Sequence, residues 1–365
     1  MSKGKITVLT TSPSININQN VSGISSITNL WIKNNSQINY ILFISGKKDK
    51  TTYGVFWLLT QPITLFRFIF QIVSKKIDIV HINMPLENLA VIREFFFIII
   101  SKIFQKRIIL HIHGGKYNMN KQIPNLISSL IKQSLRISTK IIVLGEKECH
   151  FLMSEYHILK EKTLVLPNGV KIPKKKLTIK DPTKVLKLLF LGRLDRNKGL
   201  NEIINSLKEL SSEINYMFEI AGDGPDKDWF LTKCETNLPN NYNYNGVVFG
   251  IQKEQLLSKC HVFLLPSYFE GLPSALLEAM SYGQVPIVTP VGSIQDVILN
   301  NKNGIIIPIK NSTKIIDGLN KISTDSLFYD KLSKKAYQTI QEKFSLSNYL
   351  ISLNKIYNDL IIKSI

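Results

Sequence analysis

The sequence is poor in cysteine. Its 365 residues include three, Cys149, Cys234 and Cys260. They lie far apart and form no C-x-x-C pair, so the spacing signals neither a disulfide framework nor a zinc site. This usage fits a reducing compartment, and we predict a cytoplasmic protein.

The sequence also lacks an uninterrupted apolar run of the length that a membrane-spanning helix needs. At the N-terminus, charged residues precede only a short β-type run, which predicts a first strand and not a signal peptide. Hydrophobic residues make up 44% of the chain and charged residues 20%, as in ordered globular proteins. The length allows two domains.

Acidic residues are scarce: 27 Asp and Glu face 46 Lys and Arg, for a net charge of +19. This balance favours anionic partners, namely nucleic acid, acidic membrane surfaces or phosphorylated ligands. The abundance of Ile, Lys and Asn offers a second explanation, which is codon bias in an AT-rich genome. The sequence has no RNP-type pattern, no basic helix with interleaved aromatics and no Cys/His metal spacing. Nucleic acid is therefore disfavoured as a partner, and an anionic membrane surface is the better candidate.

Short β-rich segments alternate with longer stretches of helical character along the whole chain. The predicted strands are KITVLT, NYILFI, IDIVHI, RIILHI, KIIVLG and KTLVLP, followed by VLKLLFLG, YMFEIAG, VFLLP, VPIVTP and GIIIPI. This alternation predicts the α/β class, with parallel sheets covered on both faces and ligands at the carboxyl ends of the strands. We predict a first domain over residues 1–170 and a solvated linker over residues 171–184, where turn residues and lysines cluster. A second domain over residues 185–345 and a C-terminal helix over residues 346–365 complete the prediction.

The stretch Pro266–Val288 carries two glutamates eight residues apart, Glu270 and Glu278. A short apolar run before it predicts a buried strand, and Ser274 precedes a run of strong helix formers. Glu270 then lies in the strand-to-helix loop, and Glu278 about one turn inside the helix. The first turn of a helix favours an anionic ligand, and carboxylates accept hydrogen bonds from sugar or ribose hydroxyls. The alternative is an acidic helix start that binds no ligand.

The string P-S-x-x-E-G-x-P, followed by E-A-M and a variant of G-x-P-V, resembles the E-x7-E signature of retaining nucleotide-sugar glycosyltransferases of the group 1, or family 4, type. The resemblance implies the GT-B fold: two Rossmann-like domains facing a cleft, with the C-terminal helix crossing back to the first domain. It implies that Glu270 contacts the donor sugar and Glu278 the donor ribose. The adjoining residues that it assigns to donor binding are Gly271, Leu272, Pro273 and Ser274.

Two further loops of the second domain support the resemblance. The segment G-R-L-D-R-N-K-G places Arg193 and Lys198 together, and it resembles the family's donor-diphosphate element. Without that context, the two cations would indicate only a soluble surface. The turn G-D-G-P resembles one that lies near the donor nucleotide, although such dipeptides mark turns in many proteins. These loops add Gly192, Gly222, Gly224 and Pro225 to the predicted donor site.

In the first domain, His113 follows a predicted strand and precedes Gly114-Gly115, which resembles the family's H-G-G element. We predict that His113 donates a hydrogen bond to a sugar hydroxyl or to the leaving phosphate. For His111, which lies within the strand, the alternative to a role in the site is a purely structural one. Gly23 lies where the family often has Gly-Gly, and we include it among the donor-binding candidates.

Two segments of the first domain, Gly54–Lys76 and Leu89–Arg107, are apolar and basic together. Helices of this kind can lie on an anionic bilayer, which predicts peripheral attachment to the cytoplasmic face of an inner membrane. The alternative is ordinary packing of sheet-flanking helices. The cations concerned are Arg67, Lys75, Lys76, Arg93, Lys102, Lys106 and Arg107.

The resemblance implies transfer of a sugar from a nucleotide-diphosphate donor to an acceptor with retention of configuration. Its catalytic residues would be Glu270, His113, Arg193 and Lys198. No metal is expected, because cations and helix N-termini can neutralise the diphosphate. The composition of the first domain favours a lipid-linked saccharide acceptor in bacterial surface polysaccharide synthesis. Two alternatives stay open: a sugar-nucleotide 2-epimerase, and a non-catalytic nucleotide-sugar-binding protein of the same fold.

Overall fold

The computed structural model describes residues 5–16, 20, 22–46, 59–120, 122–174, 177, 180–210 and 214–362. The chain divides into two compact units. The first comprises Met1–Asn168 together with Ser347–Ile365, and the second comprises Gly169–Leu346. Each unit contains a parallel six-stranded sheet flanked by helices, so the predicted α/β class is confirmed.

The sheet of the first unit has the strand order β2-β1-β3-β4-β5-β6, and each pair of neighbours is parallel. The sequence predicts all six strands. Every residue of β3 is buried, as expected for a central strand with helices on both faces. The bounds are β1 Thr7–Ser12, β2 Asn39–Ile44, β3 Ile79–Met84, β4 Arg107–Ile112, β5 Lys140–Val143 and β6 Thr163–Val165.

Five described helices connect these strands, and a sixth comes from the C-terminus. The first starts at Gly23 because the Ser22 hydroxyl accepts a hydrogen bond from the Ser25 amide at 3.2 Å. The second has Pro62 in its first turn, where the missing N–H costs nothing. The bounds are α1 Gly23–Asn34, α2 Gln61–Ser74, α3 Asn88–Ile103, α4 Asn125–Ile137 and α5 Glu146–Tyr156; a 3-10 turn covers Lys160–Lys162.

The C-terminal helix belongs to the first unit. From it, the Tyr357 hydroxyl lies 2.8 Å from His81 Nδ1, and Asn354 accepts a hydrogen bond from Asn35 Nδ2 at 2.8 Å. Both partners lie in the N-terminal third of the chain. These contacts confirm the predicted return of this helix to the first domain.

The sheet of the second unit has the order β12-β11-β10-β7-β8-β9, again parallel throughout. Five of its strands are predicted from the sequence. The sixth, Tyr242–Tyr244, escapes prediction because it is a three-residue edge strand without an apolar run. The bounds are β7 Leu186–Leu191, β8 Tyr216–Ala221, β9 Tyr242–Tyr244, β10 Val262–Leu265, β11 Val285–Val288 and β12 Ile305–Ile306.

The helices of the second unit include one whose start at Ser274 matches the sequence prediction. The segment predicted as a solvated linker lies with this unit, where Lys180 Nζ donates to the Cys260 carbonyl at 2.7 Å. The helices are α6 Leu200–Glu209, α7 Lys227–Asn237, α8 Gly250–Lys259, α9 Ser274–Ser281, α10 Ile294–Val297, α11 Ser312–Thr324 and α12 Ser326–Lys343; the C-terminal helix is α13, Leu346–Ile362.

The three cysteines are buried and free, in line with the sequence prediction. None of the helices in the described part of the chain combines the length and the apolarity needed to cross a bilayer.

Candidate functional site

Most of the predicted site residues lie in loops at one edge of the second sheet. These loops follow β7, β8, β10 and β11, which are neighbours in the order β11-β10-β7-β8. Because the strands are parallel, their carboxyl ends meet at the same edge. The sheet therefore brings together residues that are up to about a hundred positions apart in the sequence.

Two glycines show how closely these loops pack. A Cβ on Gly222, in the loop after β8, would lie 1.8 Å from the Gly192 carbonyl oxygen in the loop after β7. A Cβ on Gly292, in the loop after β11, would lie 2.2 Å from the Glu270 carbonyl oxygen. Neither position tolerates a side chain without moving backbone. The loop backbones therefore form one layer that includes the predicted Gly192, Gly222, Gly224 and Pro225.

Glu270 lies in the loop after β10, as predicted. Its Oε1 accepts hydrogen bonds from Lys198 Nζ at 2.7 Å and from the Ser267 hydroxyl at 2.8 Å. The Lys198 and Glu270 side chains are 23% and 10% exposed. The Tyr268 amide also donates to the Asn197 carbonyl at 2.8 Å, which ties the two loops together beside this pair. The structure thus joins a predicted sugar-contacting carboxylate to a predicted diphosphate-binding cation.

Glu278 is the fifth residue of α9, about one turn inside the helix, where the sequence places it. Its Oε1 accepts a hydrogen bond from Lys253 Nζ on α8 at 2.6 Å, and both side chains are 27% exposed. An ion pair at this exposure leaves solvent access to the carboxylate. A hydroxyl group of a ligand can therefore reach it.

The two arginines of the loop after β7 lie in different surroundings. Arg196 is engaged: its Nε donates to Asp226 Oδ1 at 3.1 Å, and its guanidinium lies 4.3 Å from the centre of the Trp229 ring. Arg193, the predicted diphosphate ligand, has an exposed side chain. The predicted contacts of Arg193 and Lys198 with a diphosphate stay predictions.

The start of α9 follows Gly271, Leu272 and Pro273. Gly271 and Leu272 are buried, and the Ser293 amide donates to the Gly271 carbonyl at 2.9 Å. In the part of the chain that the structure describes, no side chain caps this helix terminus. Within the same residues, the buried hydroxyl of Ser274 has no hydrogen-bond partner. Amides of a first helical turn and an unsatisfied hydroxyl together suit an anionic oxygen-rich ligand.

Three residues of this site are absent from the sequence prediction: Ser267, Lys253 and Gly292. Ser267 was visible as the serine of the P-S-x-x-E string, next to the glutamate that it contacts. The partners of Lys253 and Gly292 lie 25 and 22 residues away in the sequence. Only the fold brings them to the two glutamates.

His113 belongs to the other unit, at the end of β4. Its Nε2 lies 2.7 Å from Asn83 Oδ1. Asn83 Nδ2 donates to the Thr11 carbonyl at 2.7 Å, which fixes the orientation of the amide, so Nε2 of His113 must be the protonated nitrogen. The neutral ring then presents Nδ1 as an acceptor. The donor role predicted from the sequence stays a prediction, because the contact with Asn83 does not test it.

His113 is part of a stack of imidazoles. The rings of His111 and His113 lie 4.0 Å apart, and His111 Nδ1 lies 3.2 Å from His81 Nε2. The edge of Trp31 packs against His81. His81 and His111 are fully buried, which agrees with the structural alternative for His111. Burial holds the pKa values of His81 and His111 well below the ordinary value, so both rings are neutral in the folded protein.

These histidines predict an acid-sensitive first unit. The unfolded chain protonates each ring near pH 6.5 whereas the folded chain does not, so stability is fully present above that pH and falls below it. Below that pH, each ring lowers the free energy of unfolding by roughly 1.4 kcal/mol per pH unit. We expect the urea midpoint of the first unit to fall as the pH is lowered from 7 to 5. Hydrogen exchange of the β3 and β4 amides reports this midpoint. His111→Gln should flatten this dependence, while His150→Gln, on the exposed face of α5, should leave it unchanged; equal slopes in all three proteins would contradict the account.

Gly23 is the first residue of α1 and is exposed, and a Cβ there would meet nothing within 4 Å. The fold does not require glycine at this position. Its predicted contact with a donor stays a prediction. Among the described residues, no cluster of three or more His, Cys, Asp or Glu side chains is arranged to hold a metal ion.

Comparison with known proteins agrees with this geometry. Residues 171–339 match the family "Glycosyl transferases group 1". An uncharacterized glycosyltransferase of Methanocaldococcus jannaschii is 26% identical over 185 residues, which cover 50% of this chain and 47% of the relative. The UDP-Gal:alpha-D-GlcNAc-diphosphoundecaprenol alpha-1,3-galactosyltransferase of Escherichia coli is 24% identical over 62% of each chain. The chain thus spans about half to two thirds of the length of these relatives.

The fold has a close counterpart among solved structures. HepE of Anabaena, in complex with UDP and glucose, superposes with a TM-score of 0.75 at 14% identity, covering 97% of this chain and 100% of that one. At this identity the likeness establishes the fold. Residues 171–339 therefore resemble the glycosyl transferases group 1 family, and the chain has the GT-B fold of two Rossmann-like domains.

Proposed function

We propose that the protein transfers a sugar from a nucleotide-diphosphate donor to an acceptor with retention of anomeric configuration. The observation that carries this proposal is the Lys198–Glu270 pair at 2.7 Å, in loops at the carboxyl ends of the second sheet. It puts a cation suited to a diphosphate next to a carboxylate suited to a sugar hydroxyl. A protein that bound only a nucleotide would have little use for that combination.

The chemistry is mainly stabilisation of the leaving group. Lys198, Arg193 and the amides at the start of α9 take up negative charge on the departing nucleoside diphosphate. Glu270 orients the donor sugar through its hydroxyls, and Glu278 accepts a hydrogen bond from the ribose. Because cations and amides supply the charge, we propose that no metal is needed.

His113 lies in the first unit. As a neutral ring whose Nε2–H is held by Asn83, it offers Nδ1 to a substrate hydroxyl. We propose that this nitrogen accepts a hydrogen bond from the donor sugar or from the acceptor. Because the ring is neutral, it does not stabilise negative charge on the leaving phosphate. Its proposed role is to position a substrate.

The acceptor is proposed to be a lipid-linked saccharide, used at the cytoplasmic face of a bacterial membrane in surface polysaccharide synthesis. The name of the Escherichia coli relative, a galactosyltransferase for a diphosphoundecaprenol-linked sugar, supports this class of acceptor. The complex of HepE with UDP and glucose supports a UDP-hexose as the first donor to try.

The test is release of free nucleotide from UDP-, GDP- and ADP-sugars by the purified protein in EDTA, with and without a membrane lipid extract. We expect one donor to release its nucleotide, at a rate that the extract raises. Isomerised donor without nucleotide release would identify an epimerase instead. Binding of a donor with neither release nor isomerisation would identify a binding protein.

A further inference from the structure

Helix α2 carries an apolar stripe on the surface of the first unit. Its residues are Leu59, Ile63, Phe66, Phe70 and Val73, and each is between 62% and 69% exposed. They recur at spacings of three and four, so they follow one face of the helix and the turn before it. Single exposed apolar residues are common, whereas an aligned row with two phenylalanines is not.

The stripe is not the core-facing side of this helix. Phe68 and Ile72 form that side, since both are buried, and the Phe68 ring lies 4.5 Å from that of Phe97 and 5.1 Å from that of Phe43. The stripe lies on the other side of α2. Core packing, the alternative that the sequence left open for this segment, therefore explains Phe68 and Ile72 and does not explain the stripe.

The segment that carries the stripe is basic and is free of acidic residues. The segment from Leu59 to Lys76 contains Arg67, Lys75 and Lys76 and has no Asp or Glu. All three side chains are exposed. An amphipathic surface helix with phenylalanine on one face, and with cations but no acidic residue in its own segment, has the chemistry of a helix lying in the interface of an anionic bilayer.

The second apolar and basic segment contributes less than the sequence suggests. Arg93 pairs with the buried Glu94 at 2.8 Å, and Lys106 Nζ donates to the Ile77 carbonyl at 3.2 Å. Phe97 and Ile98 of α3 are buried, whereas Phe96, Ile103 and Phe104 are 47%, 69% and 39% exposed and do not form a row as long as that on α2. Part of the first segment, residues 54–58, lies outside the described residues. The proposal below therefore concerns α2 alone.

We propose that the α2 stripe docks the protein on an anionic lipid surface, with the phenylalanines inserted among the lipids and Arg67, Lys75 and Lys76 on the headgroups. The proposal goes beyond the transfer reaction and does not depend on it. A protein docked in this way would act on substrates confined to the membrane.

The experiment is flotation of the full chain with vesicles of phosphatidylcholine alone or with roughly 30% phosphatidylglycerol, a probe composition of physiological charge. We expect binding to the anionic vesicles only. Phe66→Ser with Phe70→Ser should lower the partition coefficient by about tenfold or more, because two large apolar side chains no longer insert. Arg67→Gln, Lys75→Gln and Lys76→Gln together should lower it by roughly fivefold per charge.

Matched controls lie on the second unit. Ile251→Ser with Leu327→Ser removes two apolar side chains that are 74% and 81% exposed, and Lys331→Gln, Lys334→Gln and Lys335→Gln removes three exposed charges. Both should bind like the parent. The proposal is overturned by absence of anionic-vesicle binding, or by binding that the Phe66 and Phe70 changes leave intact. It is also overturned if the parent sediments as a dimer that these changes dissociate, since the stripe would then cover a second copy.

Discussion

Glu270→Ala is expected to reduce turnover by about a hundredfold to a thousandfold, the range seen when one preorganised polar group at a reacting centre is removed. In the proposed mechanism the sugar loses the carboxylate that orients it, and Lys198 loses the partner that holds its ammonium at 2.7 Å. The fold should survive, because the pair lies in loops and outside the core. Donor-dependent nucleotide release under saturating conditions measures the effect.

Two further variants make this result specific. Glu270→Gln keeps the shape and the contact with the Ser267 hydroxyl but lacks the charge, so its turnover should fall between those of the alanine variant and the parent. Glu254→Ala removes an exposed carboxylate from α8 of the same unit and should have no effect. Unfolding midpoints of the three proteins should agree. Turnover of Glu270→Ala within about threefold of the parent would exclude Glu270 from the reaction.

Lys198→Ala is expected to lower kcat/KM for the donor by about 10-fold to 150-fold, from roughly 1.5–3 kcal/mol for one charge-assisted contact to the diphosphate. The loss should appear in kcat more than in KM, because negative charge on the leaving group grows in the transition state. Steady-state kinetics over a range of donor concentrations separates the two.

The control for Lys198 is Lys208→Ala, which removes an exposed lysine from α6, the helix that follows the same loop. It should leave both constants unchanged. Lys198→Arg keeps the charge with a different shape and should recover part of the activity. An increase in KM alone for Lys198→Ala would mean that this lysine binds substrate and transition state equally, and the leaving-group role would have to be dropped.

Local features of this protein were predictable because the sequence encodes them locally. The strand before Pro266 and the helix start at Ser274 follow from an apolar run, a proline and strong helix formers. The edge strand Tyr242–Tyr244 was missed because three alternating residues carry too little pattern. The resemblance to a family supplied the roles of the residues, which periodicity cannot give.

Contacts over long sequence distances were not predictable. The pair Lys198–Glu270 spans 72 residues, and only the adjacency of β7 and β10 brings its members together. The same holds for the contact of Lys253 with Glu278 and for that of Asn83 with His113. The exposure of individual side chains could not be predicted from the sequence either. Helices α2 and α3 have similar apolar and basic sequences, and only the packing shows that Phe66 and Phe70 are exposed while Phe97 is buried.

The central claim is transfer of a sugar with retention, and analysis of the product tests it most directly. The parent protein is incubated with its α-linked nucleotide sugar and the lipid extract, and the new glycosidic linkage is assigned by NMR. We predict an α linkage on a lipid-linked saccharide, with one nucleotide released for each sugar transferred. A β linkage would contradict retention, and nucleotide sugar recovered as an isomer without a glycosylated product would contradict transfer itself.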